Sequence, residues 1–174
     1  MNSLTLNTLS FSPLAEQDFP LLLSWLNMPH MEGKWDVAGD LSDIRSQFAH
    51  KIGADWQEAY IVSFQGTPFA YVQSYLATRA GDGWWPNEDS ATVGIDQFIG
   101  DAEFQGRGLG TLMVRGFSDW LLSRSHVKKV ITDPSPANAL AIRCYRKAGF
   151  REVGIVDTPD GNALLMEKMY GMRE

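Results

Sequence analysis

A glycine-rich segment, residues 105–110 with the sequence Gln-Gly-Arg-Gly-Leu-Gly, stands between a predicted strand and a predicted helix. Gly106, Gly108 and Gly110 lack a Cβ atom, so backbone N–H groups there can come within hydrogen-bonding distance of a ligand. The helix that follows turns the positive end of its dipole towards the same place. The segment has neither the Lys-Ser/Thr pair of a P-loop nor a third glycine at the spacing of a dinucleotide-binding fingerprint. It predicts an anion-binding loop, with a tight turn as the alternative.

Two aspartates, Asp96 and Asp133, are the second candidates for chemistry, because a carboxylate can accept a proton or bind an ammonium group. Asp96 interrupts an apolar strand, where a carboxylate is unfavourable unless it faces a cleft or a partner, and it is the first candidate for catalysis. Asp133 follows a strand, the usual place for site residues in α/β folds, or it caps the next helix. Asp82 and Asp160 stand beside glycine or proline, so both can be turn formers instead.

Aromatic residues flank these positions. Trp84 and Trp85 lie in an irregular segment, 79–90, and can stack on a ring or a cation or simply close the core. Trp35 lies in an irregular loop, where it either forms a binding rim or folds back over the core. The single cysteine, Cys144, excludes an intramolecular disulfide and is interpreted as packing. The three histidines are too scattered for close-spaced metal ligands, and no metal is expected: His30, His50 and His126.

The elements that must position these residues follow from hydrophobic periodicity, glycine and proline. Strands and helices alternate in mixed order without a linker or a repeat, which predicts one α/β domain over residues 1–174. Strands are predicted at Leu4–Phe11, Ala59–Phe64, Phe69–Ala77, Ala91–Ile99, Val127–Thr132, Phe150–Val156 and Leu164–Tyr170. Helices are predicted at Asp18–Leu26, Leu41–Ile52, Gly108–Leu122 and Ala137–Ala148, the last closed by Gly149.

Composition restricts the partners. The 174 residues carry 15 Lys and Arg against 21 Asp and Glu, a net charge of −6, and 44% of them are hydrophobic. This balance predicts a soluble globular protein and argues against nucleic acid or an anionic membrane, because both need clustered cations. A cationic partner fits better. The chain also lacks a basic, apolar leader and any stretch of ~20 apolar residues, so a cytoplasmic protein is expected.

The order strand, Gln-x-x-Gly-x-Gly loop, helix and strand, then Asn138 and Tyr145 on a second helix, resembles the acyl-CoA-dependent N-acyltransferases of the GNAT superfamily. The resemblance implies a single-domain α/β fold with a mixed central sheet of about six to seven strands flanked by about four helices. It also implies acetyl-CoA as co-substrate. In that family the loop holds the pyrophosphate, the preceding strand bonds the pantetheine arm through its backbone, and the tyrosine lies near the thioester sulfur. By match, the cofactor residues are Gln97, Phe98, Ile99, Gln105, Gly106, Arg107, Gly108, Leu109, Gly110, Thr111, Asn138 and Tyr145.

Four short segments narrow the resemblance to the aminoglycoside 6'-N-acetyltransferases. They are Gly-Asp-Gly-Trp-Trp at 81–85, Gly-Ile-Asp-Gln at 94–97, Thr-Asp-Pro-Ser-Pro-Ala-Asn at 132–138 and Thr-Pro-Asp-Gly at 158–161. Each contributes one aspartate, and in this family those carboxylates line the pocket for a polyamine sugar, a small cationic amine acceptor. The acceptor residues so implied are Trp35, Asp82, Trp84, Trp85, Asp96, Asp133 and Asp160.

The early loop departs from the family. It reads Lys34-Trp35-Asp36, where resistance enzymes tend to have an acidic residue and adjacent tryptophans, and a lysine is unfavourable near ammonium groups unless it points away. Enzymes of siderophore pathways that acylate a lysine-type or hydroxylamine side chain are therefore an alternative. A non-catalytic coenzyme A sensor is another, although a sensor needs only the loop. A monomer or weak homodimer is expected.

The mechanism implied is direct transfer in a ternary complex. An amine of the acceptor attacks the thioester carbonyl, and a backbone N–H at the end of the strand that contains Asp96 stabilises the oxyanion. Asp96 accepts the proton of the attacking ammonium, directly or through water, and Tyr145 protonates the departing thiolate. Asp96 and Tyr145 are the catalytic residues of this hypothesis.

Overall fold

The computed structural model describes residues 4–6, 8–36, 38–81, 84–85 and 87–171. Eight strands form one mixed sheet in the order β1-β2-β3-β4-β5-β6-β8-β7. They are β1 (Leu4–Leu6), β2 (Leu9–Pro13), β3 (Gln57–Phe64), β4 (Thr67–Leu76), β5 (Thr92–Ile99), β6 (Lys129–Thr132), β7 (Arg151–Thr158) and β8 (Gly161–Met169). The α-helices of the described residues are α1 (Phe19–Leu26), α2 (Leu41–Phe48), α3 (Leu109–Leu122) and α4 (Ala139–Lys147).

The predicted α/β class and the four helices are confirmed, and two predicted boundaries are wrong. The predicted first strand is a hairpin, because Leu6 pairs with Leu9 and the chain reverses between them, which raises the strand number to eight. The second predicted helix ends as an α-helix at Phe48 and continues as a 3-10 turn, Ala49–Lys51. Gly149 closes α4 as expected, with a φ of 95° that favours glycine.

The parallel pairing of β5 with β6 extends over only three residues of each strand. Thr92, Val93 and Gly94 of β5 pair with Lys129, Val130 and Ile131 of β6, and β5 then continues to Ile99. The pairings of β1 with β2, β2 with β3, β6 with β8 and β7 with β8 are antiparallel. Asp96 and the predicted pantetheine-binding positions thus lie on the part of β5 beyond its described pairing with β6.

Two compact units are present. The first comprises residues 1–73 and 97–107, and its core is built from α1, α2 and the strands beside them. Asp40 caps α2 there, since its carboxylate accepts from the backbone N–H groups of Ser42 at 2.7 Å and Asp43 at 3.2 Å. Its buried aromatic and large aliphatic side chains include Phe19, Leu22, Trp25, Ile44, Phe48, Tyr71 and Phe98.

The second unit comprises residues 74–96 and 108–174. Its helix α3 buries Met113, Val114, Phe117 and Leu121 on one face, at the spacing of an amphipathic helix. Strands β4 and β5 contribute residues to both units, and the prediction of a single domain over 1–174 stays a prediction. No helix of the described residues is long and apolar enough to cross a membrane.

Candidate active site

Three of the predicted aspartates of the second unit interact electrostatically although they are far apart in sequence. Asp96 lies on β5, Asp133 directly follows β6, and Asp160 lies in the turn between β7 and β8. Asp96 and Asp160 both raise the pKa of Asp133, which requires that the carboxylates lie near one another. The fold therefore brings together acidic residues from the middle of β5, from the end of β6 and from the β7–β8 turn.

Asp133 has the most informative charge state of this group. Burial raises its pKa from 3.8 to about 7, with further increases from Asp96 and then Asp160, while a hydrogen bond from its own backbone N–H opposes the shift. Burial and like charges both disfavour the ionised form. The site is therefore short of positive charge near neutral pH, and a cation placed beside Asp133 would favour the carboxylate.

Tyr75 is a site residue that the sequence patterns missed. Burial is the main cause that raises its pKa well above the ordinary value, and the charges of Asp96, Asp133 and Tyr145 raise it further. The phenol is thus neutral and lies close to both carboxylates, where it can donate a hydrogen bond. The sequence signal that could have pointed to Tyr75 is Gly94 on β5, because a glycine within a strand often marks a close approach by another group.

The two tryptophans differ in exposure. Trp85 is buried in a cluster with Ala77, Ile131 and Leu165, whereas Trp84 is half-buried at its margin. Their ring centroids lie 6.4 Å apart with an angle of 43° between the planes. The indole N–H of Trp85 makes no hydrogen bond of normal geometry, yet it lies near enough to Tyr75 to lower that residue's pKa slightly against the other causes. Trp84 therefore has more ring surface available for a ligand than Trp85.

The glycine loop has the backbone conformation that its composition predicts. Gly106 and Gly108 have φ values of 71° and 79°, in the left-handed region where other residues are strained. Gly108 is the N-cap of α3, and no side chain caps the first turn, which contains Leu109, Gly110 and Thr111. The backbone N–H groups of this turn, without acidic side chains nearby in the turn, suit an anion.

Side chains around the loop are held by local contacts. The Arg107 guanidinium lies 5.2 Å from the ring centroid of Phe104, and Gln105 is exposed. Thr111 Oγ1 lies 3.5 Å from Cys144 Sγ, and burial raises the pKa of this thiol, so Cys144 is suited to packing rather than nucleophilic attack.

Helix α4 has Asn138 as its N-cap, and Asn138 is one of the predicted cofactor-binding residues. The Asn138 side-chain oxygen accepts from the Ala141 N–H at 3.1 Å, so it caps α4, and the amide nitrogen is the group suited to a ligand. Tyr145 is only 5% exposed and packs edge-on against Phe150 at 5.5 Å, which fits a buried ring but does not itself assign a catalytic role.

The first unit holds the remaining predicted residues of β5. Phe98 lies in an aromatic group with Trp25, Trp35 and Tyr71, at centroid distances of 6.4, 5.0 and 5.2 Å. Its side chain is therefore in the core, and only its backbone can serve a ligand in the way the resemblance implies. Trp35 is half-buried against this group, in line with the interpretation of a loop aromatic folded over the core.

Asp82 lies outside the described residues, so its predicted role stays a prediction. In the parts of the chain that the structure describes, His, Cys, Asp and Glu side chains form no group of three that could hold a metal ion.

A glycine loop whose backbone suits an anion, at the start of α3, and a group of carboxylates that suits a cation are the features expected of a transferase with an anionic donor and a cationic acceptor. Comparison with known proteins makes the class specific. A model of the acetyltransferase (GNAT) domain matches residues 15–158, and the chain belongs to this family. The predicted superfamily and the predicted acyltransferase activity are confirmed.

Individual relatives are also similar over most of their length. The aminoglycoside N(6')-acetyltransferase type 1 of Klebsiella pneumoniae is 42% identical over 160 residues, 88% of this chain and 79% of that protein. A structure of AAC(6')-Ib with paromomycin and acetyl-CoA has a TM-score of 0.88 at 37% identity, covering 97% of this chain and 99% of that one. Another, with coenzyme A and kanamycin, has a TM-score of 0.85 at 39% identity, covering 93% and 95%. The predicted resemblance to this branch is confirmed.

Proposed function

We propose that the protein transfers the acetyl group of acetyl-CoA to the 6'-amine of an aminoglycoside. The observation that carries the proposal is the group of Asp96 and Asp160 near Asp133, in which burial and then like charge raise the pKa of Asp133 to about 7. A polyamine sugar supplies ammonium groups that relieve this repulsion. The relatives named for aminoglycoside N(6')-acetylation support the same acceptor.

The donor is assigned to the glycine loop and its neighbours. The pyrophosphate of acetyl-CoA binds the backbone N–H groups of residues 105–111, with Arg107 adding a positive charge. The pantetheine arm follows the backbone of Gln97, Phe98 and Ile99, and Asn138 donates to it. The left-handed glycines and the uncapped start of α3 support this assignment.

The acceptor is assigned to the carboxylates and the aromatic residues. Asp133 and Asp160 orient ammonium groups that do not react, Asp82 does the same, and Trp84 stacks on a sugar ring. Tyr75 joins this set as a hydrogen-bond donor. Trp85 supports Tyr75 from the core, and Trp35, which is half-buried, keeps the acceptor role that the resemblance implies.

The transfer begins when Asp96 accepts a proton from the 6'-ammonium, directly or through water. The free amine attacks the thioester carbon, and a backbone N–H at the end of β5 stabilises the oxyanion. The C–S bond then breaks, Tyr145 gives its proton to the thiolate, and the second proton of the nitrogen passes through water to the Tyr145 phenolate as the amide forms. Binding both substrates in one complex supplies much of the rate, because little covalent chemistry is required of the protein.

Thiol release from acetyl-CoA by the purified protein tests the proposal. The acceptors are kanamycin, tobramycin, a 6'-hydroxyl aminoglycoside such as paromomycin, lysine, N6-hydroxylysine and spermidine. We expect turnover with the 6'-amines and none with the 6'-hydroxyl compound. Turnover only with lysine-type acceptors would replace the proposal with the siderophore-pathway alternative, and coenzyme A binding without any turnover would favour the sensor.

The setting proposed for this reaction is the cytoplasm, where acetyl-CoA is made, with the protein as a monomer or weak homodimer. Sedimentation of the protein at micromolar and higher concentrations tests the oligomeric state. The net charge of −6 supports a cationic small molecule as partner rather than nucleic acid or an anionic membrane.

A further inference from the structure

A hydrogen bond within the first unit connects the segment after α1 to the end of β5. His30 Nε2 lies 2.9 Å from the carbonyl oxygen of Ile99. Since a carbonyl only accepts hydrogen bonds, the imidazole is the donor and carries its proton on Nε2. His30 belongs to one 3-10 turn, Pro29–Met31, and no pattern in the sequence assigned it a role.

The peptide between Ile99 and Gly100 fixes the direction in which this carbonyl points. The Gly100 N–H donates to the Phe69 carbonyl of β4 at 2.8 Å. In a trans peptide the N–H and the C=O point in opposite directions, and the described residues contain no cis peptide. The Ile99 carbonyl therefore points away from β4. Because β4 occupies one edge of β5 here, an extended ligand can pair only with the edge on which His30 stands.

Packing prevents this peptide from moving. A Cβ atom at Gly100 would lie 2.1 Å from Cδ2 of Trp25, so the indole rests directly on the glycine. Trp25 also packs edge-on against Phe98, with 6.4 Å between ring centroids. The Asp101 N–H donates to the same Phe69 carbonyl at 3.1 Å. The end of β5 is thus held from β4, from α1 and from His30.

We propose that His30 is a positioning residue that sets the register of the pantetheine arm along β5, an inference that rests on the proposed function. An extended ligand pairs with a strand edge through alternating donors and acceptors, and the pattern repeats at every second residue, so the edge alone allows more than one register. The imidazole stands in front of the Ile99 carbonyl and closes that position to an amide of the arm. Pairing of the arm with a backbone carbonyl must then begin before Ile99, which contributes only its N–H, and this places the thioester at one point along the strand.

Three variants test the role. His30→Ala removes the donor, and His30→Gln keeps an amide N–H that can reach a carbonyl. Asn27→Ala is the matched control, because it lies in the same segment and its Nδ2 donates to the Leu23 and Ala38 carbonyls, both at 2.9 Å, rather than to a carbonyl of β5. Steady-state kinetics with acetyl-CoA and kanamycin are combined with calorimetry for coenzyme A and for 3',5'-ADP, which has the phosphates but no pantetheine arm.

A thioester held in more than one register spends less time in the reactive geometry, so we expect His30→Ala to lower kcat about 10- to 100-fold. Coenzyme A should bind about fivefold more weakly, because binding must then order the strand edge that His30 holds in the free protein. The affinity for 3',5'-ADP and the KM for kanamycin should stay within about twofold, and His30→Gln should recover most of kcat.

Several results would overturn the inference. The first is an unchanged kcat in His30→Ala. The others are a loss of kcat in Asn27→Ala equal to that in His30→Ala, and a loss of affinity for 3',5'-ADP in His30→Ala equal to that for coenzyme A. Either of these two results would mean that the segment merely keeps the fold ordered. If the wild-type protein turns over kanamycin and the His30 variants have the same kcat, the positioning role of His30 is rejected and the proposed function stands. Wild-type protein that bound no coenzyme A would reject the proposed function as well.

Discussion

The ring of Tyr75 occupies the space in which any side chain at position 94 would stand. A Cβ atom built on Gly94 lies 2.3 Å from Cζ and 2.6 Å from the hydroxyl oxygen of Tyr75, distances that no packed structure tolerates. Gly94 pairs with Ile131 in the short parallel contact of β5 with β6, so its backbone is held in place. The absence of a side chain at Gly94 therefore fixes the Tyr75 hydroxyl beside Asp96 and Asp133.

Gly94→Ala should displace Tyr75, because the strand cannot retreat from its partner. We expect a loss of about 1 to 3 kcal/mol in the free energy of unfolding, as for other overpacked interiors, and a higher KM for kanamycin. Urea denaturation and steady-state kinetics measure the two effects. In Tyr75→Phe the ring stays and only the hydroxyl is lost, so a raised KM at nearly unchanged stability would assign the effect to the hydrogen bond. An unchanged KM in both variants would remove Tyr75 from the acceptor site.

The charge of Asp133 predicts how acceptor binding depends on pH. With a pKa of about 7, the carboxyl is mostly neutral at pH 6 and mostly ionised at pH 8. Only the ionised form attracts an ammonium group, so the ratio of wild-type to Asp133→Asn affinity for kanamycin should rise about tenfold from pH 6 to pH 8. Calorimetry in both proteins cancels the titration of the drug itself. A ratio that stays flat over this range would mean that the drug does not sense this carboxyl.

The raised pKa of Asp133 also predicts that the protein becomes less stable as the pH rises, whereas acceptor binding becomes stronger. Because the folded protein keeps this proton up to about pH 7 and the unfolded chain releases it near 3.8, stability from Asp133 is complete below pH 4 and declines up to pH 7. The asparagine variant cannot lose a proton, so it should be more stable than wild type at pH 8, by on the order of 2 to 4 kcal/mol. Urea denaturation at pH 4 and pH 8 measures this difference. A difference between the two proteins that is the same at both pH values would contradict the raised pKa.

Sequence periodicity predicted the elements well where a helix or strand has one buried face, as in α3 with Met113 and Phe117. It failed at Leu4–Phe11, since apolar alternation continues through the two strands of a short hairpin and does not show the reversal. The resemblance predicted that Asp133 and Asp160 both belong to the acceptor site. The effect of the Asp160 charge on the pKa of Asp133 depends on the β7–β8 turn, which the sequence patterns do not position. Tyr75 and His30 were missed because a tyrosine in a strand and a lone histidine in a loop acquire meaning only from residues distant in sequence.

Asp96→Asn tests which carboxyl accepts the proton of the attacking amine. Loss of a general base lowers kcat about 10²- to 10⁴-fold. The affinity for coenzyme A should be unaffected, because asparagine has nearly the same size and shape as aspartate. Asp133→Asn is the matched control, and it should act on the KM for kanamycin more than on kcat. If the Asp133 variant lost kcat instead and Asp96→Asn kept it, the proton would pass to Asp133, whose pKa near 7 also suits a base.

Arg107→Glu tests the position of the pyrophosphate. Arg107 follows Gly106 in the loop before α3, and its guanidinium is held over Phe104, so reversing the charge should repel the donor phosphates. We expect acetyl-CoA to bind about tenfold more weakly at low salt, with a smaller effect at high salt because ions screen an exposed charge. Arg124→Glu is the matched control, since Arg124 lies just beyond the opposite end of α3 and is likewise held over an aromatic ring, Trp120, at 4.0 Å. Equal weakening in both variants would reflect the net charge of the protein, and unchanged affinity in Arg107→Glu would place the pyrophosphate elsewhere.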